Sequence, residues 1–140
     1  MYKYPIEIHH EANSVWATCR DLPEFHAAAD TLSELMSESA DGIVSALSIY
    51  VDQRRAIPKA SSPLKNEHVV HLSALILAKI ELWNTMIERD MRKADLVRTL
   101  NAKPVTVDRL IDFCHSSKLE HVENALLALG KRLSISVEPA

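Results

Sequence analysis

Glycine is almost missing from this chain: Gly42 and Gly130 are the only two in 140 residues. That scarcity argues against a strand-rich fold built on tight turns. It also leaves no glycine-rich loop to cradle a phosphate. Cysteine is equally sparse. Cys19 and Cys114 lie far apart and lack the paired spacing of a metal site. Both read as small buried hydrophobes in a protein of the reducing cytoplasm. No apolar run is long enough to span a membrane, and the opening MYKYPIEIHH lacks the hydrophobic stretch of a signal peptide. A strong charge of one sign is absent too, with 16 Lys and Arg against 19 Asp and Glu, a net of −3. The length suits one ordinary domain or two small ones.

The distribution of charge says more than its sum. Residues 1–70 hold six basic against ten acidic side chains, and residues 71–140 hold ten against nine. Arg92, Lys93, Arg98, Lys103 and Arg109 fall within one stretch that carries only Asp95 and Asp108 against them, a net of +3. A basic patch on an otherwise neutral half fits a DNA-facing surface. Its modest size implies that tight binding requires a dimer.

That stretch reads as a helix-turn-helix. The first helix is expected over Lys93–Leu100, the turn at Asn101, Ala102 and Lys103, and the second helix from Pro104 to about Phe113. Leu96, Leu100, Val107, Leu110 and Ile111 recur at helical spacing and would close the core between the helices. Ala94 is expected at the crossing. Asn101 suits a left-handed turn, because its short amide can bond the local backbone. Pro104 suits a first helical turn, where its missing N–H would be unpaired anyway. With the second helix in a major groove, Lys103, Val105, Thr106 and Arg109 would meet bases or phosphates, and Lys93 and Arg98 would hold the backbone. The bland alternative is a helical hairpin with a solvated charged face.

The N-terminal half alternates as strands do. Tyr2–His9 places Tyr4, Ile6 and Ile8 on one face, Glu11–Ser14 turns, and Val15–Arg20 sets Val15, Ala17 and Cys19 opposite Trp16 and Thr18. Asp21–Glu24 turns, with Pro23 barring a central strand, and Phe25–Ala29 is a short third strand. Thr31-Leu-Ser-Glu34 is a capping box opening a helix to about Gln53. Its apolar stripe is Leu32, Leu35, Met36, Ala40, Ile43, Val44, Leu47 and Val51. Gly42 within it implies close packing, since it weakens a helix by up to about 1 kcal/mol relative to Ala. Residues 54–66, with Pro58 and Pro63, read as an extended or linker-like segment, and Glu67–Leu72 as a further strand. A domain boundary is expected there, giving domains 1–72 and 73–140. Beyond it come a helix over Ala74–Asp90 capped by Ser73, the helix pair, and a second capping box at Ser117–Glu120. The helix it opens ends at Gly130 in a left-handed cap. Leu133, Ile135 and Val137 form a last strand that needs a partner, either its copy in a second subunit or the linker. The fold class is α+β, a sheet with one long helix joined to an all-α domain.

Catalysis finds little support. Two-metal phosphoryl chemistry needs carboxylates converging on ions roughly 4 Å apart, and Glu7, Asp21 and Glu24 are the only plausible cluster in the sheet region. Asp21 and Glu24 read better as turn formers or an acidic rim. His9 and His10 point to opposite faces of a strand, and no pair among the seven histidines has ligand spacing. No metal, cofactor or catalytic residue is expected.

Taken in order, these pieces resemble the HicB family of toxin–antitoxin antitoxins. The N-terminal half contributes YPIEI (Tyr4–Ile8), R-D-L-P-E (Arg20–Glu24), the T-L-S-E helix start and I-P-x-A-S-S-P (Ile57–Pro63). The C-terminal half contributes ADLVRTL (Ala94–Leu100), T-V-D-R-L (Thr106–Leu110) and A-L-G-K-x-L-S (Ala128–Ser134), like the branch carrying a lambda-repressor-like, Xre-type helix-turn-helix. The resemblance implies a partial RNase-H-like domain that binds and silences a HicA-type toxin, a small mRNA-cleaving ribonuclease. It also implies a C-terminal domain that binds the operator DNA of its own operon as a homodimer or higher homo-oligomer. Asp21 and Glu24 could then meet the toxin's basic face. Three departures stand out: Arg92 stands where the motif often has a Ser or Thr cap, Asn101 replaces the usual Gly, and Val105 is apolar where many relatives carry a polar base-reading residue. The alternative is a stand-alone transcription regulator with a ligand-sensing N-terminal domain.

Overall fold

The computed structural model describes residues 1–140 as a mixed α+β chain of four strands and five helices. It divides into two compact units, Met1–Ser73 and Ala74–Ala140.

In the first unit, β1 (Tyr4–Glu11), β2 (Ser14–Thr18), β3 (His26–Ala29) and β4 (Glu67–Val70) form one antiparallel sheet in the order β3-β2-β1-β4. β1 starts two residues later than the alternation suggested. Pairing decides its bounds: the ladder with β4 begins at Tyr4↔Val70, and the ladder with β2 runs on to Glu11↔Ser14 at the hairpin. β4 stops at Val70 rather than Leu72 because Val70 faces Tyr4, the first residue of its partner. Tyr4, Ile6, Val15, Ala17 and Val70 are buried. They face the long helix α1 (Leu32–Asp52), which Thr31 caps by accepting the Glu34 amide at 3.2 Å.

The buried side of α1 is Leu35, Ser39, Ile43, Ala46, Leu47 and Tyr50. Leu32 and Met36 of the expected stripe are exposed, because the helix is turned to bring Gly42 against Phe25. A Cβ added at Gly42 would lie 2.8 Å from Phe25 Cε1, and Phe25 is itself buried. Gly42→Ala is therefore expected to destabilise the first unit by about 1–2 kcal/mol. Overpacking of about 1–3 kcal/mol outweighs the gain in helix propensity. A urea melt followed by circular dichroism checks this, and an unchanged or higher midpoint would show that Phe25 can yield.

Residues 54–66 are fastened rather than free. Ile57 is buried, Tyr4 Oη donates to Pro58 O at 2.6 Å, and the Ala60 amide donates to Met1 O at 2.7 Å.

The second unit packs α2 (Ala74–Glu88), α3 (Lys93–Leu100), α4 (Pro104–Leu110) and α5 (Leu119–Ala128). α2 is buried on most sides, through Ile76, Ala78, Ile80, Leu82, Trp83 and Met86, and it also buries Lys79 and Thr85. Leu96, Val107, Leu110, Ile111, Phe113, Val122, Ala125, Leu126 and Leu129 complete the core. Ala94, expected at the helix crossing, is exposed, and Leu96 is the buried residue of α3. Arg92 is better capped than its side chain suggests, because Asp95 Oδ2 accepts the Arg92 amide at 2.8 Å.

α4 ends three residues before Phe113. Asp112 Oδ1 takes the Cys114 amide at 2.9 Å, closing a local turn that competes with the helix. Ser117 does not cap α5: its hydroxyl bonds Arg109 O at 3.2 Å and His115 Nδ1 at 2.9 Å. Lys118 then occupies the cap position without a side-chain bond. Gly130, at φ 78°, closes α5 with the Lys131 amide donating to Leu126 O. The expected last strand is not formed in the single chain, and Ile135 and Val137 are 68% and 94% exposed.

Candidate functional site

The turn between α3 and α4 is set by Asn101, which sits at φ 49°, ψ 46°. In that conformation the Ala102 amide reaches back to Val97 O at 3.1 Å, and the chain reverses without glycine. Pro104 opens α4 at its first turn. Because Val107 and Leu110 point into the core, the helix must present Val105, Thr106 and Arg109 outward, with Lys103 at its N-terminal end. All four are exposed, and Val105 is 48% exposed despite being apolar.

The five cations of the basic stretch do not stand alike. Lys93 pairs with Asp108 at 3.1 Å, and Arg98 pairs with Asp95 on the same helix. Their charge is thus partly spent within the chain. Lys103 and Arg109 carry no ion pair, which leaves them as the open cations of α4. Arg109 and Thr106 also line a cleft of about 260 Å³ with His115, Ser117, Lys118 and His121. The sequence reading did not join these four to Arg109, because they lie on the far side of a turn. The available signal was the polar composition of residues 115–121 itself.

Lys79 holds this surface from beneath. Its Nζ donates to the carbonyls of Arg109 (3.0 Å), Asp112 (2.7 Å) and His115 (2.7 Å). It therefore satisfies the carbonyl end of α4 and the turn after it, where a cation also suits the helix dipole. Burial pushes the ammonium below the ordinary lysine range, and the nearby Asp112 opposes that shift. A Lys among the apolar residues of Ile76–Trp83, where Glu81 is the other charge, was the signal in the sequence.

In the first unit, the two acidic residues of the R-D-L-P-E run have partners of their own. Asp21 accepts the Ser61 amide at 2.9 Å and its hydroxyl at 2.6 Å. Glu24 accepts Tyr50 Oη at 2.7 Å and Arg55 Nη1 at 2.9 Å. Burial alone would raise the Glu24 carboxyl, but the Tyr50 and Arg55 bonds outweigh it and hold it low. Burial and the Glu24 bond push Tyr50 up to about 12. Arg20 forks onto Glu67 and also bonds Ser62 O at 2.6 Å. The Arg20 bond, with help from the Leu64 amide, holds the Glu67 carboxyl below its usual range. All three acids thus serve to fasten residues 54–66 and β4. Glu7, Asp21 and Glu24 do not converge, and no three His, Cys, Asp or Glu side chains gather as a metal-ligand set.

The other prominent grouping is a row of rings on the sheet. His9 stacks on Trp16 at 3.9 Å and 18°, and His26 lies 5.9 Å from Trp16 at 24°. No helix is long and apolar enough to cross a membrane.

Comparison with known proteins adds to this geometry. The family model for HicB-like antitoxins of bacterial toxin–antitoxin systems matches residues 3–81. The chain is 48% identical to an Antitoxin HicB of Pseudomonas fluorescens (strain Pf0-1) over 141 aligned positions, covering 100% of this chain and 97% of that one. It is 35% identical to Antitoxin HicB 2 of Photorhabdus laumondii, covering 95% and 94%. It is 26% identical to an Antitoxin HicB of Escherichia coli K12, covering 82% and 83%.

Proposed function

The chain belongs to the HicB-like antitoxin family of bacterial toxin–antitoxin systems, and on that premise we propose a protein with two tasks and no catalysis of its own. Residues 1–72, a partial RNase-H-like domain, bind and neutralise a HicA-type mRNA-cleaving toxin by occluding its active surface. Residues 73–140, a helix-turn-helix domain, bind the operator of its own operon and repress it. The observation that carries the first task is the likeness to antitoxins over the full length of the chain. The second is supported by the open set Lys103, Val105, Thr106 and Arg109 on α4. The cleft beside Arg109, with Lys118 and the uncapped start of α5, suits a DNA phosphate.

One such domain offers few base contacts, so the repressor acts as a homodimer. Its two α4 helices meet successive major grooves, about 34 Å apart. Leu133, Ile135 and Val137 leave apolar side chains and an unpaired backbone edge, which a second copy can cover by strand pairing. Lys93 and Arg98 serve as secondary backbone contacts once they leave their acidic partners.

The test is co-expression with a HicA-type toxin, read by growth and by co-purification. A stable complex and rescued growth are expected. No complex and no rescue, with operator binding retained, would replace the antitoxin reading by a regulator whose N-terminal domain senses a ligand.

A further inference from the structure

Within the first unit α1 lies against one face of the sheet; the other face carries a different set of side chains. The register places Glu7 opposite Thr18, His9 opposite Trp16 and Glu11 opposite Ser14, with Trp16 opposite Ala28 and Thr18 opposite His26. Glu7, Glu11, His26 and Ala28 are exposed, and His9 and Trp16 are half-buried. Trp16 stands on the middle of three strands with a histidine ring on each flanking strand. His9 Nε2 lies 3.1 Å from Thr18 Oγ1, which fixes that ring's orientation. A shallow recess of about 330 Å³ opens beside the row, lined by Glu11, Ser14, Trp16, His26 and Ala28. The Trp16 indole N–H is screened from water and has no acceptor, an unmet donor of a kind folded proteins rarely keep without a purpose.

Packing does not call for this arrangement, since the core lies on the opposite side of the sheet. A row of rings on an open sheet suits one of two partners. Single-stranded RNA stacks its bases on such rings, but it needs a cationic track for its phosphates. The outward strand positions here carry Glu7, Glu11 and Glu67 and no Lys or Arg, and Arg20 just beyond β2 is already held by Glu67, so phosphates find no cationic track. A cationic protein surface meets the opposite conditions. A guanidinium or ammonium gains from the face of Trp16 and from carboxylates beside it.

Resting on the antitoxin reading above, we propose that this face, His9–Trp16–His26 flanked by Glu7 and Glu11, is where the toxin is held. An RNA-cleaving protein must present cationic side chains to RNA. The sheet face offers those side chains what an RNA strand offers: flat stacked rings with negative charge alongside. The antitoxin occupies the toxin's RNA-binding surface by imitating its substrate.

The test measures affinity of the full chain for a catalytically silenced HicA-type toxin. Trp16→Ala is expected to weaken binding by about 30-fold, as a central aromatic anchor does. Because that variant removes a half-buried side chain, Glu7→Gln/Glu11→Gln provides a second test on exposed positions. It is expected to slow association about tenfold at low salt and to flatten its salt dependence. Operator binding should be unchanged in both. If the unaltered chain binds toxin and both variants bind equally well, the proposed face is wrong while the antitoxin reading stands. If the unaltered chain does not bind toxin, both fall together. Binding of an RNA oligonucleotide that is lost with Trp16→Ala would overturn the proposal in favour of a nucleic-acid platform.

Discussion

Lys79→Met is expected to destabilise the second unit by about 3 kcal/mol, lowering its melting temperature by roughly 10–25 °C. The side chain is fully buried, and its ammonium reaches three carbonyls, each of which keeps only one other, neutral donor: the Ser117 hydroxyl on Arg109, the His115 amide on Asp112 and the Ser117 amide on His115. Exchanging a whole buried ion pair for apolar side chains is often neutral, because both charged partners leave together. Here only one side leaves. The carbonyls of Arg109, Asp112 and His115 each lose a charge-assisted bond and keep only their neutral donors, and methionine fills the volume but donates nothing. The loss should concentrate at the end of α4 and the turn to residue 115, so amide exchange there should rise more than in α2. Operator affinity should fall with it, since Arg109 sits on the segment that Lys79 holds. A melt within about 0.5 kcal/mol of the unaltered protein would show that the remaining neutral donors suffice.

Lys79 also marks where sequence reasoning stopped. Features set by neighbours along the chain were legible. The α3 bounds followed from helical spacing, the Asn101 turn from its tolerance of positive φ, the Thr31 cap from its partner three residues on, and Gly130 from its place after the last apolar residue. Close packing at Gly42 was legible too, because a glycine inside a helix needs a compensating contact. Features set by distant neighbours were not. Nothing local to Asp21 or Glu24 announces Ser61, Tyr50 or Arg55, which lie tens of residues away. Both acids read as turn formers or an acidic rim, and both are tied into the unit. Ser117 matched a capping pattern, yet the end of α4 claims its hydroxyl. The charge count over Arg92–Arg109 treated five cations alike, whereas Asp108 and Asp95 engage two of them. The ring row was invisible because it needs three strands in register. The alternation by itself placed Trp16 only on the side of β2 that Thr18 shares.

That inequality among the cations yields the second large effect. Replacing Lys103 and Arg109 together by Ala is expected to weaken operator binding at least 100-fold while leaving toxin binding intact. Each lost contact to a guanine edge or phosphate is worth about 1–3 kcal/mol, and a two-fold dimer loses each of them twice. Both side chains are exposed and unpaired, so their removal leaves no buried group unsatisfied and the fold should hold. The matched control is Lys93→Ala with Arg98→Ala, which removes the same formal charge. Those cations must leave Asp108 and Asp95 before they reach a phosphate, so their net gain on binding is smaller and the loss should be about tenfold or less. Electrophoretic mobility shift at two salt concentrations separates the cases. The first pair should flatten the salt dependence by more than the second, because it supplies more of the displaced counterions. Equal losses from the two pairs would mean that only net charge matters and that α4 is not the reading helix. A parallel loss of toxin binding in the first pair would mean that the two tasks share a surface, and the division of labour between residues 1–72 and 73–140 would have to be abandoned.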